Sequence, residues 1–198
     1  MLETRAFVRF AALFEVGLAI LAVGLGWLAG ITPTAMQIDA RAIGIGVVAT
    51  VPLIAMYEVA TRLPLKSLRR IHDLLLSTLG RPLSECRWHE LALLAALAGV
   101  CEELLFRGVL QPWLTQLGEP AGWIGTNLLF GFAHAVTPTY FVLATGIGFY
   151  LSGIQALAGS LFAPMLAHAL YDWYAFHQVA KAYRKDAPDD AKSESESD

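Results

Sequence analysis

Several polar side chains lie inside apolar segments of this chain, where they are costly to place. The ones that could take part in chemistry are Glu102, Glu103, Arg107, His134 and His168. A charge at the centre of a bilayer costs roughly 2.5–3.5 kcal/mol even on the most lenient scale, so such residues usually form sites or paired networks. Together with Asp172, one helical turn beyond His168, they are typical of an active site. The alternative is a set of polar contacts between helices.

Two adjacent carboxylates and an arginine lie on one predicted helix, in the sequence C-E-E-L-L-F-R at 101–107. Neighbouring residues on a helix point about 100° apart, so the two carboxylates cannot share one task. Glu103 and Arg107 are four residues apart and can form a supporting ion pair. Glu102 is then free to face a cavity as a general base or a metal ligand. Cys101 could be a nucleophile, but free cysteines are commonly small core residues.

Two further helices each add one histidine. The sequence F-G-F-A-H places Phe130, a supporting residue, on the same helix face as His134, and H-A-L-Y-D does the same for His168 and Asp172. One carboxylate and two imidazoles are the groups that activate water, with or without zinc. Glu102, His134 and His168 would supply three zinc ligands and leave a fourth position for water. The absence of an H-E-x-x-H pair from the sequence favours the metal-free alternative, in which Glu102 is the base.

The motifs E-E-x-x-x-R, F-x-x-x-H and H-x-x-x-D, in this order on apolar helices, resemble those of the CPBP (Abi-like) family. Its members are intramembrane proteases of the CAAX prenyl-processing and bacteriocin-processing type, and the resemblance covers about residues 88–178. It implies that Glu102 activates water, that His134 holds this water or a metal, and that His168 is a ligand or an oxyanion partner. The family more commonly has Asn where this chain has Asp172. An ionised carboxylate cannot donate to an oxyanion, so Asp172 must be protonated, orient His168 or bind metal.

The composition places the chain in a membrane. It is 56% hydrophobic and 16% charged, against about 25% charged residues in soluble proteins. Apolar stretches of helical length cover 7–30, 42–61, 90–110, 121–137, 139–157 and 160–179. We therefore predict an all-α, polytopic membrane bundle of about six transmembrane helices, with the active site inside the bundle. The first stretch is too long for the apolar region of a signal peptide, so we expect it to be retained.

The distribution of basic residues predicts the orientation. If the N-terminus is cytoplasmic, twelve of the fourteen Lys and Arg residues lie on the cytoplasmic side. This distribution fits the positive-inside rule. We therefore expect a protein of the bacterial inner membrane with both termini in the cytoplasm. Residues 1–180 are predicted to form the integral membrane protease domain, and 186–198 a disordered acidic tail. The basic segment 62–89 is either an amphipathic helix on the membrane surface or a solvated connector. The turn near 137–139 could lie at membrane depth, which would bring His134 towards Glu102.

The predicted function is hydrolysis of a peptide bond in a membrane-associated substrate. Prenylated proteins, leader peptides and C-terminal sorting signals all fit, and the expected cofactor is none or zinc. The expected partners are a peptide or protein substrate and the lipid bilayer, and the chain has no basic patch with interleaved aromatics that would indicate nucleic acid. One rival is a serine protease that uses Ser152 or Ser160 with His168. The other is a non-catalytic transporter or scaffold with a buried polar network.

Overall fold

A computed structural model describes residues 2–186, which form helices joined by loops and contain no strand. The α-helices are α1 (Leu2–Ala29), α2 (Ala40–Arg62), α3 (Lys66–Leu75), α4 (Arg81–Glu85), α5 (Trp88–Glu103), α6 (Gln111–Thr115), α7 (Thr126–Ala133), α8 (Pro138–Ala158) and α9 (Phe162–Asp186). The π-helical turns are Leu76–Gly80, Leu104–Leu110 and Ala121–Gly125, which precede α4, α6 and α7. The predicted all-α class is confirmed.

Three of the helices are long and apolar enough to cross a membrane. These are α1, from Thr4 onwards, α2 and α8. The predicted six crossings are therefore not confirmed in number. The reason lies in the helices that contain the motifs: the helix 88–115 includes four charged residues and a π-helical turn, and α7 together with the π-helical turn before it covers only 121–133. This segment spans about 20 Å at helical rise, short of a hydrocarbon core of about 30 Å.

The helices that bear the first and third motifs pack almost backbone to backbone. A Cβ atom added at Gly99 of α5 would lie 2.7 Å from the Ala169 nitrogen and 2.8 Å from the Met165 carbonyl oxygen of α9. Small residues permit this close approach between membrane helices. The contact brings Glu102, at the end of α5, to the level of His168.

The segment between α2 and α5 is helical and packs against the bundle. Ile71 of α3 and Leu83 of α4 are buried, whereas Arg69 and Arg70 are exposed. The segment is thus helical, with an apolar side on the bundle, and the choice between a helix on the membrane surface and a solvated connector stays a prediction. The Thr4 hydroxyl donates to the Glu85 carboxylate, which joins α1 to α4 and lowers the pKa of Glu85 below its usual value.

The predicted tail, 186–198, begins with the last residue of α9. Its remaining residues, 187–198, lie outside the described residues. The division of the chain into a membrane domain over 1–180 and a tail stays a prediction.

Candidate active site

The turn between α7 and α8 brings His134 against Glu102. His134 follows the last residue of α7, and the Thr137 hydroxyl caps α8, which begins at Pro138. The His134 Nε2 lies 3.6 Å from the Glu102 Oε2. The side chains of His134 and Glu102 are 26% and 12% exposed, whereas the Glu102 Oε2 itself is buried. The expected approach of these two residues is present.

The hydrogen bond of His134 to the backbone determines which of its two ring nitrogens carries the proton. The His134 Nδ1 lies 2.9 Å from the Phe130 carbonyl oxygen. A carbonyl oxygen only accepts, so Nδ1 donates, and in the neutral ring Nε2 is an acceptor. The Glu102 Oε2 is buried and has no hydrogen-bond partner among the described residues. Two facing acceptors cannot bond each other, but a water that donates one proton to each would satisfy both.

Glu103 is fully buried and accepts two hydrogen bonds at one oxygen. Its Oε1 lies 2.8 Å from the Arg107 Nη1 and 2.9 Å from the His168 Nδ1. The pair with Arg107 is the one that the i, i+4 spacing predicts. The bond to His168 is an addition, and it fixes the orientation of that imidazole.

Arg107 ties the first motif to α7 and α8. Its Nη2 donates to the Gly148 carbonyl oxygen at 2.9 Å and to the Asn127 Oδ1 at 3.3 Å. The centre of the guanidinium group lies 4.4 Å from the centroid of the Phe130 ring, a cation–π distance. A Cβ atom at Gly148 would lie 2.8 Å from the Asn127 Oδ1 and 3.2 Å from the Arg107 Nη2. Glycine is therefore required where Arg107 meets α8.

Phe130 packs between the two imidazoles. Its ring centroid is 4.5 Å from that of His134 and 6.0 Å from that of His168. Phe106 contacts its other side at 5.1 Å. Phe130 is 2% exposed, so it holds both histidine rings in place and excludes water from behind them.

His168 and Asp172 form a second polar pair on α9. The His168 Nε2 lies 3.5 Å from the Asp172 Oδ2. Since the His168 Nδ1 already donates to Glu103, this contact is attractive only with a proton on Nε2 or on the Asp172 carboxyl. Either arrangement gives the pair a hydrogen-bond donor at this point.

The donor set predicted for zinc does not fit a metal ion in this arrangement. The described residues contain no group of three or more His, Cys, Asp or Glu side chains placed to hold one. The reason is His168, both of whose ring nitrogens face carboxylates, Glu103 and Asp172.

A mainly apolar cavity of about 170 Å³ adjoins the site between α2, α3, α8 and α9. Asp172 is the one acidic side chain among the described residues that line it, and Tyr140 of α8 lines it as well. The Tyr140 ring lies 6.3 Å from that of His134. Asp172 therefore connects this cavity to the polar cluster.

The candidate nucleophiles that the sequence offers are buried and bonded elsewhere. The Ser152 hydroxyl donates to the Gln111 Oε1 at 2.9 Å, and the Ser160 hydroxyl donates to the Gln37 carbonyl oxygen at 2.8 Å. These bonds hold helices and a loop together and do not involve His168. Cys101 is 4% exposed and is a free core cysteine.

Two residues near the site escape the motif analysis. Glu15 of α1 has a buried Oε2 without a hydrogen-bond partner, and its charge interacts with those of Glu102 and Asp172. The signal that marks Glu102, a carboxylate within an apolar stretch, also marks Glu15 and could have found it. Asn127, which binds Arg107, has no comparable signal in the sequence.

A buried cluster of carboxylates and histidines thus lies inside a bundle of apolar helices. Residues 85–174 match the family model described as Type II CAAX prenyl endopeptidase Rce1-like. This segment includes every motif residue from Glu102 to Asp172, and the match confirms the resemblance to the CPBP family. A comparison with curated proteins and one with solved structures each found no match.

The family match supports intramembrane protease activity in general. Together with the three apolar helices, it indicates an integral membrane protein whose substrate is a peptide or protein.

Proposed function

We propose that this protein is an intramembrane endopeptidase in which Glu102 and His134 activate a water molecule. The observation that supports this most strongly is the pair of facing acceptors, Glu102 Oε2 and His134 Nε2, 3.6 Å apart. A water between them donates both protons and directs its oxygen lone pairs outward. A peptide carbonyl carbon that lies against this oxygen is in position for attack.

The proposed reaction follows from these positions. The water oxygen bonds to the carbonyl carbon while Glu102 takes one proton, and the carbonyl oxygen becomes an oxyanion. The tetrahedral intermediate then breaks its C–N bond, and Glu102 returns the proton to the leaving nitrogen. The products are a carboxylic acid and an amine, which exchange one proton to become a carboxylate and an ammonium group, so atoms and charges balance.

The oxyanion is stabilised by the proton that His168 and Asp172 share. This proton belongs to the Nε2 or to the carboxyl group, which face each other at 3.5 Å. The family more commonly has an asparagine at this position, whose amide can donate a hydrogen bond to the oxyanion. Asp172 can take this role because the pair of His168 and Asp172 also carries a proton to donate. Glu103 and Arg107 hold the imidazole from the other side, so the donor is fixed before substrate binds.

The adjoining cavity suits an apolar segment of the substrate. Its walls are formed mainly by aliphatic and aromatic side chains, and Asp172 lies at its edge. A prenyl group, or the apolar residues of a leader or a sorting signal, would be removed from water or lipid there and would position the neighbouring peptide bond. Of these substrates we favour the prenylated CAAX segment, since the matched family model describes prenyl endopeptidases.

The activity would reside in a bacterial inner membrane with both termini in the cytoplasm. The Lys and Arg distribution supports this orientation. Reporter fusions that are active on only one side of the membrane test it: a C-terminal reporter active outside the cytoplasm contradicts the proposed orientation.

A panel of three fluorogenic peptides tests the function. The purified protein in detergent is given a farnesylated CAAX peptide, a leader peptide and a C-terminal sorting segment, and cleavage sites are read by mass spectrometry. We expect cleavage of the farnesylated peptide and weaker cleavage of the same peptide without the lipid. A folded protein that cleaves no member contradicts the proposal and favours a scaffold held together by the buried polar network.

A further inference from the structure

Glu15 lies in a second cavity, distinct from the one that contains Asp172. This cavity has a volume of about 230 Å³ and is bounded by α1, α5, α9 and the segment before α5. Phenylalanines make up much of its wall: Phe7, Phe10, Phe14 and Phe176. Glu15 is the only polar side chain among the described residues that line it.

One oxygen of this carboxylate lacks a partner inside the protein. The Glu15 Oε2 is inaccessible to solvent and has no hydrogen-bond partner among the described residues. A buried polar atom left in this state costs free energy and calls for an explanation. The cost is higher for Glu15, since α1 is a candidate membrane span and the surrounding wall is apolar.

The charges nearby cannot supply the missing partner. Glu15 interacts electrostatically with the carboxylates Glu102 and Asp172 and with the His168 imidazole. Two nearby groups can be cationic, Arg107 and His168, and both are already bonded to the Glu103 carboxylate. The cluster is therefore richer in carboxylates than in cations and would favour a positive charge from outside.

The second cavity adjoins the first. Both cavities are lined by Leu79, Leu83 and Phe176, which form the wall between them. A substrate whose apolar end occupies the first cavity therefore lies beside the second cavity and would reach Glu15 with a side chain placed there. Aromatic rings beside a carboxylate are a suitable environment for an ammonium or guanidinium group.

We infer that Glu15 binds a lysine or arginine side chain of the substrate and so determines specificity. This inference rests on the proposed protease function and adds a substrate class to it, peptides with a basic residue near the scissile bond. The Glu15 carboxylate would pair with the cation, and the phenylalanine wall would contact its aliphatic part.

A binding measurement tests the inference without requiring cleavage. Fluorescent farnesylated peptides are prepared with one lysine at each position in turn, and with the uncharged analogue norleucine at the same positions. Their affinity is measured by fluorescence anisotropy in detergent for the parent protein and for Glu15→Gln. We expect one position at which lysine binds at least about tenfold tighter than norleucine, and we expect Glu15→Gln to abolish this preference.

A charge reversal and a matched control complete the design. Glu15→Lys should prefer a peptide with glutamate at the same position, and Glu119→Gln, a carboxylate-to-amide change at an exposed position, should leave the lysine preference unchanged. The same preference in Glu15→Gln, or no lysine preference at any position, overturns the inference. Failure of the proposed function has a different signature, because no peptide would then be cleaved whatever its affinity.

Discussion

Glu102 and Glu103 are neighbours with the same side chain and opposite surroundings. Glu103 is fully buried and bonded to Arg107 and His168, whereas the Glu102 Oε2 faces His134 and has no hydrogen-bond partner among the described residues. The 100° step between adjacent helical residues produces this difference. A carboxylate held by two donors is suited to orientation, and one without a partner is suited to taking a proton.

Removal of Arg107 should therefore destabilise the protein strongly. Arg107→Ala leaves Glu103 buried without its cation, and breaking a buried pair in this way typically costs ~3–5 kcal/mol. Arg62→Ala is the matched control, because Arg62 pairs with Glu58 at the same spacing but is 78% exposed, and its loss should cost less than about 1 kcal/mol. Unfolding in detergent measures both. Equal stability of Arg107→Ala and the parent would show that the pair is not structural.

The change Asp172→Asn tests the shared proton on α9. Asparagine keeps a donor at the position of the carboxyl, so we expect activity within a few-fold of the parent. Asp172→Ala removes the donor and should lower kcat at least about tenfold, because loss of one oxyanion donor typically costs about 10²–10³-fold in kcat. Steady-state kinetics on the cleaved peptide compare the two. Parent-like rates in both variants would remove Asp172 from the mechanism, and an equal loss in both would indicate that the carboxylate itself is needed.

At the level of elements, the site depends on how closely α5 and α9 approach each other. Glu103 of α5 bonds His168 of α9, and the contact at Gly99 one turn earlier sets the distance between the two helices. Side chains larger than hydrogen cannot fit there because the nearest atoms belong to the backbone of α9. A shift of about 1 Å at this contact would lengthen the bond to His168 beyond hydrogen-bonding distance.

Gly99→Ala should consequently reduce both stability and activity. The added Cβ would lie 2.7–2.8 Å from atoms of Ala169 and Met165, and overpacking of this kind costs typically ~1–3 kcal/mol. Gly146→Ala in α8 is the control, since nothing lies within 4 Å of its added Cβ, and the better helix propensity should leave stability equal or higher. Thermal unfolding and cleavage rates report on both. Unchanged stability in Gly99→Ala would mean that α5 and α9 are not held together at this point.

The positions of the helices were largely predictable from the sequence, but the change from α-helical to π-helical turns within them was not. The stretches 42–61 and 139–157 correspond to Ala40–Arg62 and Pro138–Ala158, because apolar composition, the Asp39 cap and Pro138 act locally. The π-helical turn Leu104–Leu110 was not predicted. This π-helical turn contains Arg107, which is bonded to α7 and α8. The turn therefore coincides with tertiary contacts, which local helix propensity does not predict.

For the whole molecule, the spacing of motifs predicted contacts within a helix but not between distant ones. The i, i+4 rule supplied the pairs of Glu103 with Arg107 and of His168 with Asp172. The bonds from Arg107 to Asn127 and Gly148 join residues 20 and 41 positions apart, a separation at which sequence patterns contain no geometric information. The number of membrane crossings was equally beyond the sequence, because the helices that hold the site contain charged residues and are interrupted by the π-helical turns before α6 and α7.

The central claim is that Glu102 and His134 together activate water, and the rate of cleavage by Glu102→Gln tests it most directly. The measurement is the initial rate on the farnesylated peptide for the parent, for Glu102→Gln and for the exposed control Glu119→Gln, with unfolding curves for each. We predict a loss of about 10²–10⁴-fold or more for Glu102→Gln at unchanged stability, a similar loss for His134→Ala, and a parent-like rate for the control. A folded Glu102→Gln protein that cleaves at the parent rate would contradict the account.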